Sequence, residues 1–245
     1  MPLLMLLLFS IAVSIVILAV IFVIFHSRRR QSHQSQIGSL KPLFVKESVL
    51  HNIFICRPTS WVAVKCRSLL TVQSALGLHN PKPCSFLEGL SGNDKLFIAP
   101  PINGWILVIG AGLPDPREDV DTCFRFVLDL SRKLGEVQFF SASPVLHDHA
   151  WVRAARGRIV RAYAWAGRTL WKQGARTAAE SDLGLRCFDY ADPSECEAFS
   201  EPDVIVTNME KVPLLAARWS LNPSCIDERF LEQERGIAGE PSQRF

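Results

Sequence analysis

The sequence predicts an α+β fold, a mostly antiparallel sheet with helices packed on one face, behind an N-terminal transmembrane helix. Three observations support this. Met1–Phe25 is an apolar run with no charged side chain, closed by Arg28, Arg29 and Arg30. Short β-rich runs separated by turn residues fill much of 95–165, and capped helical patterns stand between and after them.

The apolar run comes first. At about 1.5 Å per residue, Leu3–Phe25 makes a helix of about 34 Å, enough for a hydrocarbon core of about 30 Å. A cleaved signal peptide would show a basic n-region, a shorter apolar core and a small-residue exit, and none is present. Apolar side chains surround the whole circumference, which argues against a helix buried in a soluble core. The arginine triplet flanks the anchor and assigns that side to the cytoplasm. The expected organisation is an anchor at 1–26, a flexible tether rich in Ser and Gln at 27–42, a soluble α+β domain at 43–235 and a frayed tail at 236–245. The lipid bilayer is then a partner through residues 3–25, and the protein sits in the cell membrane as a single-pass chain with a cytoplasmic domain.

Composition narrows the class only slightly. A net charge of +3 and a mean hydropathy of +0.15 are ordinary for a globular chain carrying an anchor. The seven cysteines are odd in number and irregular in spacing, with no Cys-x-x-Cys pair. They read as free thiols rather than a disulfide framework or a zinc site.

Within the domain, Val49–Cys56 and Trp61–Cys66 are mixed apolar segments, and Leu69–Leu78 fits a short helix ending near Gly77. Lys95–Ala99 and Trp105–Ile109 read as strands joined by a Pro100-Pro101 and Asn103-Gly104 turn. Asp115, Pro116 and Glu118 have the spacing of an N-cap, a first helical position and a capping box. Val120, Cys123, Phe124, Val127, Leu128, Ser131 and Leu134 follow at helical period, and Gly135 ends the helix. Glu136–Ser141 is a strand. Ala150–Ala154 and Arg158–Trp165 form a hairpin around Ala155-Arg156-Gly157. Thr177 and Glu180 form a second capping box, and Cys187–Tyr190 reads as a last short strand. Thr207–Ser220 reads as a helix with Pro213 near its start, and Asn222-Pro223 opens another through about Glu234.

Phe97 to about Cys225 resembles a bacterial membrane-anchored α+β family of unknown function. The resemblance is carried by the Gly104–Gly110 strand before a helix, the Val137-Gln138-Phe139-Phe140 strand and the Trp151-x-Arg153 … Gly157-x-x-x-Arg161-Ala162-Tyr163 hairpin. The Gly174-x-x-Thr177-x-x-Glu180 turn and the Val212-Pro213-x-x-Ala216-x-x-Trp219-Ser220 segment extend it. It implies an anchored α+β domain and transfers no catalytic residue.

No catalytic constellation stands out. Gly110-Ala111-Gly112 has Asp115 where a dinucleotide turn would need a third glycine, so it reads as a tight turn. His147-Asp148-His149 supplies two imidazoles, which do not make a metal site, and the residues call for no cofactor. The feature with most physical content is 151–176, which carries seven basic residues and no acidic one. Trp151, Arg153, Arg158, Arg161 and Tyr163 are the candidate binding residues, able to hold a protein or other anionic partner by fork hydrogen bonds and stacking. Against this, 177–245 holds 14 acidic and 6 basic residues and offers the arginines internal partners. The same acidity in the C-terminal helices argues against nucleic acid. The leading expectation is a membrane-anchored cytosolic binding module. The alternative is a membrane-tethered hydrolase or transferase built from scattered residues such as His147, His149 and Asp115, with a regulatory or immunity protein as a third possibility.

Overall fold

The computed structural model describes residues 59–85, 88, 96–191, 202–223, 226 and 234–241. The expected anchor, the tether and the Val49–Cys56 segment lie outside these. Among the described residues no helix is long and apolar enough to cross a membrane. The elements in chain order are β1 (Ser60–Val64), α1 (Leu69–Leu76), β2 (Leu78–Ser85), β3 (Leu96–Ile98), β4 (Ile106–Ile109), α2 (Val120–Leu134) and β5 (Glu136–Ser143). After them come β6 (Asp148–Ala155), β7 (Arg158–Ala166), β8 (Thr169–Gln173), α3 (Ala178–Asp182), α4 (Pro202–Trp219) and β9 (Arg235–Pro241). The strands form one sheet in the order β2-β9-β3-β4-β1-β5-β6-β7-β8, every neighbouring pair antiparallel. The α+β class therefore holds.

Helices cover both faces of the sheet, not one. On one face Val62, Val64, Val108, Val137, Phe139 and Val152 pack with Val72 of α1 and with Cys123, Phe126, Val127 and Leu130 of α2. On the other, Trp61, Leu107, Phe140, Trp151, Tyr163 and Trp165 pack with Ile205, Met209, Val212 and Leu215 of α4. Successive strand side chains point to opposite faces, so a strand buried on both sides must be apolar at every position. Ile106-Leu107-Val108-Ile109 is such a run.

Local chemistry explains the turns. The β3–β4 connection turns at Asn103 (φ 51°) and Gly104 (φ 83°), and the β6–β7 hairpin at Arg156 (φ 51°) and Gly157 (φ 72°). Two consecutive positive φ values are the type I′ geometry that matches the twist of a two-residue hairpin. Helix α1 ends on Gly77 in the left-handed conformation, as its sequence predicts.

Three elements differ from expectation. Helix α2 starts at Val120 with Asp119 as its cap, accepting from the Thr122 amide, whereas Asp115 caps a turn by accepting from the Arg117 amide at 2.8 Å. Helix α4 runs from Pro202, so Pro213 lies in its interior. Cys187–Tyr190 is an irregular strap: the Phe188 amide donates to the Tyr163 hydroxyl and the Lys172 amide to the Tyr190 hydroxyl. Most of the helix expected from Asn222-Pro223 falls outside the described residues.

The largest departure is at the C-terminus. Residues 235–241 are not a frayed end but β9, inserted between β2 and β3. Its glycines permit this: a Cβ on Gly236 would lie 2.3 Å from the Ile98 carbonyl oxygen and 2.5 Å from a Phe97 ring carbon.

Candidate functional site

The β6–β7 hairpin carries all five candidate binding residues, and the structure divides them. Trp151 and Tyr163 are 0% exposed and Arg161 is 1% exposed, sealed on the α4 side of the sheet. These three candidate binding residues are therefore interior groups and not surface ones. Arg161 donates through Nε to Glu180 Oε1 at 2.8 Å and Oε2 at 3.1 Å, and through Nη1 to the Ala162 and Gln173 carbonyls. The Trp151 indole donates to the same Glu180 oxygen at 2.7 Å.

Helix α3 delivers that carboxylate through the capping box legible in its sequence. Glu180 accepts from the Thr177 amide, and its own amide donates to the Thr177 hydroxyl. Burial pushes the Glu180 carboxyl up, but the hydrogen bonds from Arg161 and Thr177 together with the guanidinium charge outweigh it and hold it below its ordinary value. Arg161 Nη2 also lies 3.2 Å from Cys187 Sγ, a thiol that burial pushes up to about 11 despite the neighbouring guanidinium. Part of the hairpin's charge is therefore consumed internally by the acidic C-terminal segment. Lys172 pairs with Asp189 in the same way.

Another group of cations lies around the β6–β7 turn, exposed or partly so. Lys65 and Arg153 share Glu136, at 3.2 and 3.0 Å, and Arg132 pairs with Asp129. Arg132 lies along the turn itself, since a Cβ on Gly157 would sit 2.5 Å from its Cγ. Lys133 instead donates to the Ala75 carbonyl at the end of α1. Arg156 and Arg158 are exposed and have no carboxylate partner among the described residues. Sequence reasoning singled out Arg153 and Arg158 but missed Lys65 and Arg132, which reach this corner from just beyond β1 and from the last turn of α2. The β5–β6 register, pairing Glu136 with Ala155, brings them together.

The scattered residues His147, His149 and Asp115 are not assembled. A narrow cleft, with room for about one water molecule, lies between the Asp115–Arg117 loop and the strand ends, lined by Asp115, Arg117, Ser141 and Asp148 among others. Arg117 bridges the two carboxylates, 3.1 Å from Asp115 and 3.7 Å from Asp148. Burial and the Asp115 charge raise the Asp148 carboxyl above its usual range, with Arg117 opposing them. His149 borders the cleft through the strand, but its ring lies on the opposite face, stacked at 5.6 Å on both Trp151 and Trp165. There its Nε2 lies 3.2 Å from Asn208 Nδ2 of α4, and desolvation lowers the imidazole to about 3. His147 sits in the exposed β5–β6 turn with φ 54°. Among the described residues no cluster of three or more His, Cys, Asp or Glu side chains is placed to hold a metal ion.

Comparison with known proteins adds no relative to this geometry: no family model, no curated protein and no solved structure matches the chain.

Proposed function

We propose that this chain is a single-pass, membrane-anchored binding module whose cytoplasmic domain engages an anionic partner through the exposed corner of the β6–β7 hairpin. The observation that carries the reading is a local charge surplus. Lys65, Arg132, Arg153, Arg156 and Arg158 gather there against Asp129 and Glu136, three positive charges in excess among the described residues. Cations on mobile stems around a rigid hairpin attract an acidic surface and keep most of their hydration, so they raise encounter rates and partner selectivity more than intrinsic affinity. The apolar run at 1–25 and Arg28, Arg29 and Arg30 support the membrane part of the reading.

The test uses the full chain in neutral detergent and a labelled acidic probe, poly-glutamate. The Arg153→Ala, Arg156→Ala and Arg158→Ala triple variant is expected to lose most probe binding while Arg168→Ala, a distant exposed arginine, retains it. Equal binding by all three proteins refutes the surface. Protease access to a C-terminal tag in sealed cells and in permeabilised ones reports the topology, with digestion only after permeabilisation expected.

A further inference from the structure

We infer that the anionic partner of this corner is the acidic lipid surface of the membrane that carries the chain. This rests on the reading above and narrows it to one class of partner.

The first argument is the form of the positive charge. Stereospecific recognition of a carboxylate or phosphate uses guanidinium forks fixed by neighbouring groups. Arg161 is such a fork, and it is sealed and already occupied by Glu180. Arg156 and Arg158 are the reverse: exposed, without a carboxylate partner among the described residues, one in the two-residue turn and the other next to it. Lys65 and Arg132 keep 61% and 58% of their side chains exposed even within their ion pairs. Loose cations of this kind suit a diffuse sheet of negative headgroups, which imposes no fixed geometry.

The second argument is the apolar group among them. Val160 is 48% exposed, two residues from Arg158, at the irregularity where β7 shifts register against β6. The β6 residues pass from Arg153 to Ala154 while β7 passes from Arg161 to Ile159, so Val160 is the extra residue of a bulge. An apolar side chain between arginines is of little use to an acidic protein surface. It fits a headgroup layer, whose lower part is apolar.

The third argument is tethering. Arg30 and Ser60 are 30 positions apart, so even a fully extended chain keeps the domain within about 100 Å of the leaflet carrying Arg28, Arg29 and Arg30. A surface held at that distance is at high effective concentration, and weak individual contacts suffice to populate the docked state.

The experiment places the full chain in nanodiscs of phosphatidylcholine alone or of phosphatidylcholine with phosphatidylserine, and follows amide exchange across 153–160. Slowing of about tenfold is expected in the acidic discs, relieved at high salt, where the screening length contracts to about 3 Å. The triple variant Arg153→Glu, Arg156→Glu and Arg158→Glu should exchange alike in both discs, and Val160→Ser should keep part of the slowing. Inorganic phosphate added to neutral discs is expected to give none, which separates a lipid surface from free anion. Identical exchange in acidic and neutral discs overturns the lipid assignment. If the poly-glutamate probe still depends on these arginines, the anionic-partner reading survives that result, and if it does not, both fall.

Discussion

Arg161 and Glu180 form the only fully buried ion pair among the described residues, 2% and 0% exposed at the side chain, and join a β-strand to the five-residue helix α3. Two charges withdrawn from water depend on each other, because removing one leaves the other desolvated and unpaired. The Trp151 indole and the Thr177 amide and hydroxyl complete the carboxylate's partners, so the pair is part of a network rather than a lone bridge.

Arg161→Met is therefore expected to cost about 3–5 kcal/mol in chemical denaturation followed by tryptophan fluorescence. Combining it with Glu180→Leu should return stability toward wild type, since the stranded charge is gone. The pH dependence has a definite sign: the Glu180 carboxyl is held below its ordinary value of 4.5, so its contribution is complete above 4.5 and is lost as pH falls below it. A stability profile flat below pH 4.5 in the wild type, or one unchanged in Glu180→Gln, would contradict the network.

His149 acts at higher pH. Its folded value is about 3 against an ordinary 6.5, so the unfolded chain takes up a proton below 6.5 that the native state refuses until near 3. Stability should fall with pH between 6.5 and 3 at up to about 1.4 kcal/mol per unit. Between 6.5 and 4.5 the slope belongs to His149 rather than Glu180. His149→Phe, which keeps a ring between Trp151 and Trp165, should flatten that window. An unchanged slope there would mean that the imidazole is not sealed as described.

Two aspartates contend for the cap of α2. The Asp119 side chain accepts from the Thr122 amide at 2.9 Å and from its hydroxyl at 2.7 Å, and these bonds lower its carboxyl. Asp119→Ala should lower the melting temperature, as the loss of a helix cap does, and Asp115→Ala should lower it less, because Asp115 serves a turn with its flank in water. Thermal denaturation of the two variants under identical conditions ranks them. A larger loss at Asp115 would return the helix start to the position its sequence spacing favours.

These cases show where the sequence was informative. Asn103-Gly104 turns the chain as its side-chain chemistry requires, Thr177 and Glu180 form the box that their spacing predicts, and Cys123 and Val127 lie on the buried face of α2. Each depends on residues within a few positions. The fate of Arg161 does not, because a run of basic residues reads the same whether a guanidinium meets water or a carboxylate from a later helix. Parity along β6 was legible in principle: Asp148 and His149 are adjacent, so once that segment is a strand their side chains must part to opposite faces, and the cleft keeps one of them. The apolar run Ile106–Ile109 likewise pointed to cover on both faces of the sheet. Antiparallel sheets often leave one face wet, so pairing alone does not reveal the second layer.

The C-terminal strand gives the strictest test of the architecture. Arg235-Gly236-Ile237-Ala238-Gly239-Glu240-Pro241 has little β propensity, and its place between β2 and β3 depends on pairing over more than 130 positions, Ala238 with Phe97 on one side and with Lys82 on the other. Such a strand holds because its backbone satisfies two neighbours and its glycines allow close approach. Gly236→Val should then cost more than about 2 kcal/mol, since its side chain would be forced against the Ile98 carbonyl and the Phe97 ring. Truncation after Glu234 should strip β2 and β3 of their shared partner and speed amide exchange in Leu96–Ile98. Gln243→Ala, beyond the strand, is the control. If truncation leaves stability and exchange at wild-type values, residues 235–241 are a dispensable tail and β3 must find its second partner elsewhere.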